Sequence, residues 1–323
     1  VTCEETARRV AEELLAPQAA RLEAEGAVPR SHLDALARAG LGRADGADAL
    51  AVLEELAAGD LATAFVWVQR IGVVRWLAQA GPAWAEELED LRAGRLHAGI
   101  ALQAALRPGP AAVVARREGD DGAFVLDGTV PWVTGWGLLD AVLLTARDGE
   151  DVFFLLLDAR PDQEGPTLRG EPLDLVGVPA SRTVELHLSG HRVPADRLVA
   201  TGRHAALLAG DAAGLRPNGS LALGLVLRCV RALEGSPAAG ALGAQLAAAR
   251  ERLDAAGPAE LPAARAAAVE LAWRAAGTLA TATGSGAVIA GGLAERTVRE
   301  ALFLLVFGSR PAIKEALVAS LAR

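Results

Sequence analysis

Apolar residues recur at helical spacing over the first third of the chain, at short alternating spacing over the middle third, and at helical spacing again to the end. Thr6 to Leu22 carries a helical stripe in which Pro17 marks a kink or break. Ser31, just before HLDALARAG, predicts an N-cap, and Gly40 a stop. Ala49 to Ala58 and Leu61 to Ala80 are strongly apolar, with Asp60 placed to cap the second. Trp67 and Trp76 lie along that second helix and read as core. Pro82 opens a short amphipathic helix that ends at Gly94.

Near residue 98 the period shortens, Gly and Pro punctuate, and β-branched residues gather. Gly99–Leu102, Ala111–Arg116, Ala123–Asp127, Val130–Thr134, Ala141–Thr145, Val152–Leu157, Thr167–Leu168 and Thr183–Leu188 read as strands of an antiparallel barrel or sandwich. Asp127-Gly128 between two alternating runs predicts a hairpin turn, because Gly reaches positive φ without steric penalty. Residues two apart in a strand share a face, so Trp132 and Thr134 present either an aromatic wall and a hydroxyl to a planar ligand or two ordinary half-buried side chains. Arg192-Val193-Pro194 ends the strands, and helices are expected over Asn218–Leu233, Ala241–Ala255, Ala263–Thr283, Leu293–Val306 and Ala312–Ala322. Gly284-Ser285-Gly286 breaks this run after the third of them. The layout is α+β: a helical domain over 1–97, an antiparallel β-domain over 98–199 and a helical bundle over 200–323.

Composition narrows the function. With 323 residues and 52% hydrophobic content the chain can bury a large core. Its net charge is −8, and its arginines are scattered among acids with Lys314 the lone lysine, so no basic stripe points to nucleic acid. Cys3 and Cys229 stand far apart, which gives neither a disulfide framework nor a zinc site and fits a reducing cytoplasm. His32, His97, His187, His191 and His204 show no metal-ligand spacing. No apolar run of about 18 residues is free of charge and no signal-peptide layout opens the chain, so no membrane role and a cytoplasmic location are expected. With no Met anywhere, residue 1 is expected not to be the start of translation.

Four segments in this order resemble the acyl-CoA dehydrogenase family over nearly the whole chain. AGLGRADGADALAVLEELAAGDLATAFVW is similar to the family's N-terminal helix pair. LDGTVPWVT resembles its flavin wall "LNGTKxWIT", with Trp132 and Thr134 in the flavin-contacting places. GVPASRTVELHLSGHRVPADRLV matches a middle-domain motif at Ser181, Thr183 and Pro194, and AERTVREALFLLVFGSRPAIKEAL resembles "VERLYRDARxxxIYEGTxxIxRxx". The resemblance implies an N-terminal helical domain, a central β-domain and a C-terminal bundle. It also implies FAD in the cleft between them, a small acyl substrate such as a CoA thioester, and a homodimer or homotetramer.

The same alignment exposes departures. The family's catalytic Glu falls at Gly308, and the alternative base, just before an Arg corresponding to Arg216, falls at Leu215. Asp211, Glu300 and Glu315 are the nearest acids in sequence; Glu300 sits where the family pairs an acid with Arg, and Asp211 is a weak candidate base. Arg216 is the expected substrate-binding residue. Gly284, Ser285 and Gly286 stand at the turn that meets a flavin pyrophosphate, although Gly-x-Gly also serves as a plain helix break, and Thr281 replaces a Gln there. The segment Gln103–Pro110 lacks the Thr and Ser hydroxyls expected of it, and Gly235–Gly240 replaces the stretch that reaches a neighbour's FAD. The expectation is a flavin-dependent oxidoreductase of atypical chemistry. The alternatives are a monooxygenase of the same fold, or a degenerate, flavin-free subunit that pairs with an active paralogue.

Overall fold

The computed structural model describes residues 1–105, 109–210, 214–308 and 310–322. The N-terminal helices are α1 (Cys3–Val10), α2 (Ala16–Glu25), α3 (Arg30–Arg38), α4 (Gly46–Gly59), α5 (Leu61–Ala80) and α6 (Ala85–Ala93). Thr2 and Glu5 close a capping box at the start of α1, each side chain accepting from the other's backbone N–H at 3.1 and 2.8 Å. Pro17 neither breaks the chain nor kinks it sharply. A π turn at Ala11–Leu15 joins α1 to α2, widening the helix just ahead of the residue that has no N–H to donate. Ser31 is not the cap of α3; Pro29 holds that position in extended backbone and Ser31 lies inside the first turn. Asp60 does cap α5, accepting from Thr63 N at 2.9 Å and from its hydroxyl at 2.6 Å. By length and composition α5 could cross a membrane, but 61% of its apolar window is buried inside this protein, as expected of a core helix.

His32 on α3 is buried with neither ring nitrogen hydrogen-bonded. Burial lowers the imidazole's pKa below its ordinary 6.5, opposed by the charge of Asp60 and helped by that of Arg21. Charging this ring therefore favours the unfolded chain. Stability should hold above pH 6.5 and fall as pH drops below it. His32→Leu should flatten that acid limb in thermal melts, and an unchanged limb would show that other groups set it.

The middle of the chain forms β1 (Ala98–Ala101), β2 (Val113–Glu118), β3 (Ala123–Val133), β4 (Ala141–Asp148), β5 (Asp151–Asp158), β6 (Leu168–Pro172), β7 (Val184–Val193) and β8 (Leu198–Arg203). Their order across the sheet is β6-β7-β3-β2-β4-β5-β8, with β1 beside β4. The sheet is mixed rather than wholly antiparallel. β1 runs parallel to β4, and β2 meets β4 in parallel at Val114 and Arg147. The β2–β3 hairpin between β1 and β4 supplies the crossover that such pairing needs.

Asp127-Gly128 is not a hairpin. β3 runs straight through it, paired with β2 on one side and β7 on the other, with a bulge toward β7 between Leu126 and Gly128. Gly128 has φ +135°, and a Cβ there would collide with Ala112 O, so the glycine serves close backbone approach. The chain reverses earlier, between β2 and β3, where Gly119 and Gly122 both take positive φ. β8 extends past the boundary expected at residue 199 and pairs with β5.

After the sheet the described residues form six helices, α7 (His204–Gly210), α8 (Leu215–Ala232), α9 (Pro237–Ala255), α10 (Leu261–Thr283), α11 (Leu293–Val306) and α12 (Pro311–Leu321), with a 3-10 turn at Gly284–Val288. One apolar core runs from the N-terminal helices through the sheet into the bundle, and a smaller one lies where α5 and α6 cover β1, β4 and β5. The bundle docks on the N-terminal helices through α4 and α8. Gly224 makes this possible, since a Cβ there would run into Glu54 O and lie 2.6 Å from Ala57 Cβ.

Candidate functional site

β3 loses register with β7 between Val130 and Val133, and the backbone at that bulge is strained. Trp132 sits at φ +60°, in the left-handed region that non-glycine residues seldom occupy. Two further non-glycine residues adopt such angles among the described residues, Val178 at +54° and Arg182 at +49°. They bracket the 3-10 turn Pro179–Ser181, which docks on the turn after β3: Gly135 N donates to Ser181 O at 3.0 Å and Trp136 N to Arg182 O at 3.1 Å. The turn that two of the strained residues bracket is therefore held against the chain just after the third, Trp132.

Trp132 and Thr134 do not share a strand face. The bulge and the end of β3 at Val133 cancel the two-residue alternation, leaving the indole 46% exposed and Thr134 5% exposed. The Thr134 hydroxyl lies 3.2 Å from that of Thr183, which lies 2.8 Å from that of Ser181. Ser181, Thr183 and Thr134 thus form a buried row of three hydroxyls just after the exposed Trp132. The turn at Gly135 rests on Val66 of α5. Phe65, the next residue on α5, meets Phe303 of α11 and Phe307 with ring centroids 5.0 and 4.8 Å apart, and Phe303 and Phe307 stack at 5.3 Å. This trio closes the space between α5 and the end of α11.

Gly308 follows the trio at φ +56°. A Cβ built on it would lie 3.4 Å from Asn218 Nδ2 and 3.9 Å from Arg265 Nη2, with nothing closer. Leu215, the other base position, is buried in the bundle core. Arg216 is occupied by internal partners: Nε and Nη2 reach Asp254 at 2.8 and 2.7 Å, Nη1 donates to Ser220 Oγ at 2.7 Å, and Glu54 stands 3.8 Å from Nη2. It ties α8 to α9 and α4 and offers little to a substrate. Glu300 is buried against Arg228, with Arg296 at 3.8 Å, as its place in the sequence suggested. Glu315 is exposed on α12, and Asp211 lies outside the described residues.

Gly284, Ser285 and Gly286 form an exposed turn after α10, with Gly284 at φ +74° and open space where its side chain would be. The Thr281 hydroxyl turns back to Gly277 O at 2.8 Å. Arg274, Gly277, Thr278, Thr281 and Ala282 line an open hollow of about 600 Å³ on the same helix. A smaller cavity of about 30 Å³ is lined by Trp67, Arg70, His97 and Leu139 among others.

Sequence reasoning missed Arg265. It lies wholly buried on α10, donates from Nη2 to Phe307 O at 2.7 Å, and has no acceptor for Nε or Nη1. The available signal was its place three and four residues before Ala268 and Val269 on the apolar stripe of an alanine-rich helix.

No protein-family model matches the sequence, and no curated protein sequence does. Solved structures do match. Butyryl-CoA dehydrogenase from Megasphaera elsdenii aligns with a TM-score of 0.81 and 18% identity over 99% of this chain and 97% of that one. Glutaryl-CoA dehydrogenase from Mycobacterium smegmatis also reaches 0.81 at 18% identity, over 99% and 93%. Dibenzothiophene monooxygenase from Paenibacillus sp. A11-2 reaches 0.78 at 16% identity, over 97% and 95%. Across nearly its full length, therefore, the chain has the acyl-CoA dehydrogenase fold.

Proposed function

We propose that this chain is a flavin-dependent oxidoreductase that seats FAD against Trp132 and acts on a small acyl thioester or related substrate without a side-chain base at either Gly308 or Leu215. The observation that carries this reading is the exposed Trp132 held in strained, left-handed backbone at the β3 bulge. Each such residue costs about 1–3 kcal/mol and persists only where the surroundings enforce it, and such strain gathers at functional sites. The exposed indole suits one face of a flat ring system. The open backbone of Gly284-Ser285-Gly286 leaves room for close approach of a phosphate group, in the family's manner a neighbouring subunit's. When bound, FAD would supply the acceptor for a hydride or, once reduced, the reductant for oxygen.

The chain's own residues limit the chemistry. With Gly308 and Leu215 in the base positions, no carboxylate stands there to take a proton. Phe65, Phe303 and Phe307 pack on one another between α5 and the end of α11. Adding a straight-chain acyl-CoA anaerobically to FAD-loaded protein should leave the flavin spectrum unchanged; rapid bleaching would reveal a base elsewhere. The lack of a carboxylate at Gly308 and Leu215 favours oxygen chemistry over thioester desaturation, since such chemistry does not call for that base.

Trp132→Ala should weaken FAD binding about 10–100-fold, the loss expected for one large aromatic face. The indole is exposed enough for the variant to keep its fold. FAD titration monitored by flavin fluorescence measures the effect, and equal affinity of the two proteins would remove Trp132 from the site. Val288, Ile289 and Leu293 are exposed apolar residues beside the Gly284 turn, and they supply the surface for a homodimer or homotetramer, or for a paralogous subunit.

A further inference from the structure

Arg70 of α5 is only 8% exposed, and among the described residues no carboxylate pairs with it. Its hydrogen bonds run from Nη2 to two backbone carbonyls, Gly42 O and, at 3.4 Å, Leu91 O. The Trp67 ring lies 5.3 Å from the guanidinium, which adds a weak attraction but no counter-charge. Burial first, and then the like charge of Arg92, pull its pKa down to about 10, which leaves it protonated at neutral pH. A buried cation without a partner is strongly unfavourable, whereas one that meets an anion on binding is not.

Arg70 also borders empty space. With Leu33 of α3, Trp67, Leu91 of α6, His97 and Leu139 it lines the cavity of about 30 Å³. A single water-sized sphere needs about 10–15 Å³, so a small ion fits. No acid lines this space, and Asp34 nearby is engaged by His97 Nε2 at 3.0 Å. The donors select the kind of anion. Every adjacent pair of N–H groups on a guanidinium includes one from Nη2. Both Nη2 hydrogens are turned to carbonyls here, so no fork remains to grip the two oxygens of a carboxylate. Nε and Nη1 have no acceptor among the described residues, and either can hold a single-atom anion. The leucine walls disfavour an ion that keeps its water tightly.

We propose that the cavity beside Arg70 is a binding site for one small, weakly hydrated anion of the halide class, chloride above all, held by the guanidinium and walled by Leu33, Leu91 and Leu139. The anion supplies the counter-charge that the protein lacks there. It thereby stabilises the packing of α5 against α3 and α6. The inference goes beyond the flavin reading and stands without it, since neither Trp132 nor the Gly284 turn lines this cavity.

The test exchanges sodium chloride for sodium gluconate, whose anion is too large for the cavity, at constant ionic strength. Wild-type Tm should be higher in chloride, by about 1–3 °C at roughly five times its Kd. Arg70→Met keeps much of the side chain's length without its charge, and it should melt at the same temperature in both salts. Bromide soaked into wild-type crystals should give an anomalous-scattering peak within hydrogen-bond reach of Arg70 Nε or Nη1, and this measurement decides alone if Arg70→Met does not fold. Equal wild-type Tm in the two salts, an undiminished chloride response in Arg70→Met, or a cavity that holds only water in the bromide-soaked crystal would each overturn the proposal.

Discussion

Glu300→Leu is expected to lower stability by about 3–5 kcal/mol, the range for removing one member of a buried ion pair. Glu300 lies 2% exposed between two buried arginines, paired with Arg228 and 3.8 Å from Arg296. Arg228 is also committed elsewhere: Nε donates to Ala58 O and Nη2 to Ala57 O, both at 2.8 Å, so it cannot swing out to water. Removing the acid leaves two cations facing each other at the junction of α4, α8 and α11. A fall in Tm of roughly 10 °C follows from a loss of that size. Arg228→Met together with Glu300→Leu should recover part of the loss, because a matched apolar pair avoids the stranded charge. A single variant within 1 °C of wild type in Tm would mean that water reaches the site.

Gly224→Val should cost about 3 kcal/mol or more, at the upper end for overpacking. Valine gains up to about 0.5 kcal/mol in helix propensity over glycine. That gain is far outweighed, because the new Cβ would strike Glu54 O and Ala57 Cβ, and a helix backbone cannot step aside as a side-chain tip can. Gly243→Ala on α9 is the matched control. Nothing lies within 4 Å of a Cβ there, so propensity alone acts and stability should rise by up to about 1 kcal/mol. Denaturant unfolding of both variants separates the two effects; equal changes would mean that α4 and α8 do not pack as described.

These helices were legible because their signals are local. Asp60 reads as a cap from its place between two apolar runs, and it caps α5. Asp127-Gly128 misled for the opposite reason. Its turn signal is local, whereas the pairing of β3 with β2 and β7 on either side is not, and the long-range ladder decides. β8 was overlooked because Leu198–Arg203 is short and contains Gly202, and only its pairing with β5 makes it a strand. At the candidate site, Trp132 and Thr134 could be found by resemblance, but the bulge that turns one outward and the other inward could not. Arg216 was named by resemblance, and its pairing with Asp254, which is 38 residues away, could not be read from the sequence. Arg265 carried a signal that was easy to pass over: it lies on the apolar stripe of α10, but an arginine in an alanine-rich helix is normally solvated, and tertiary packing seals this one in.

The claim that Trp132 and its strained surroundings seat a flavin is tested most directly by the visible absorbance spectrum of the purified protein, before and after incubation with FAD and removal of the excess. Flavin absorbance retained after that removal, in a stoichiometric amount per chain, is the predicted result. A protein that stays colourless and takes up no FAD would contradict the account and leave the fold without its redox group.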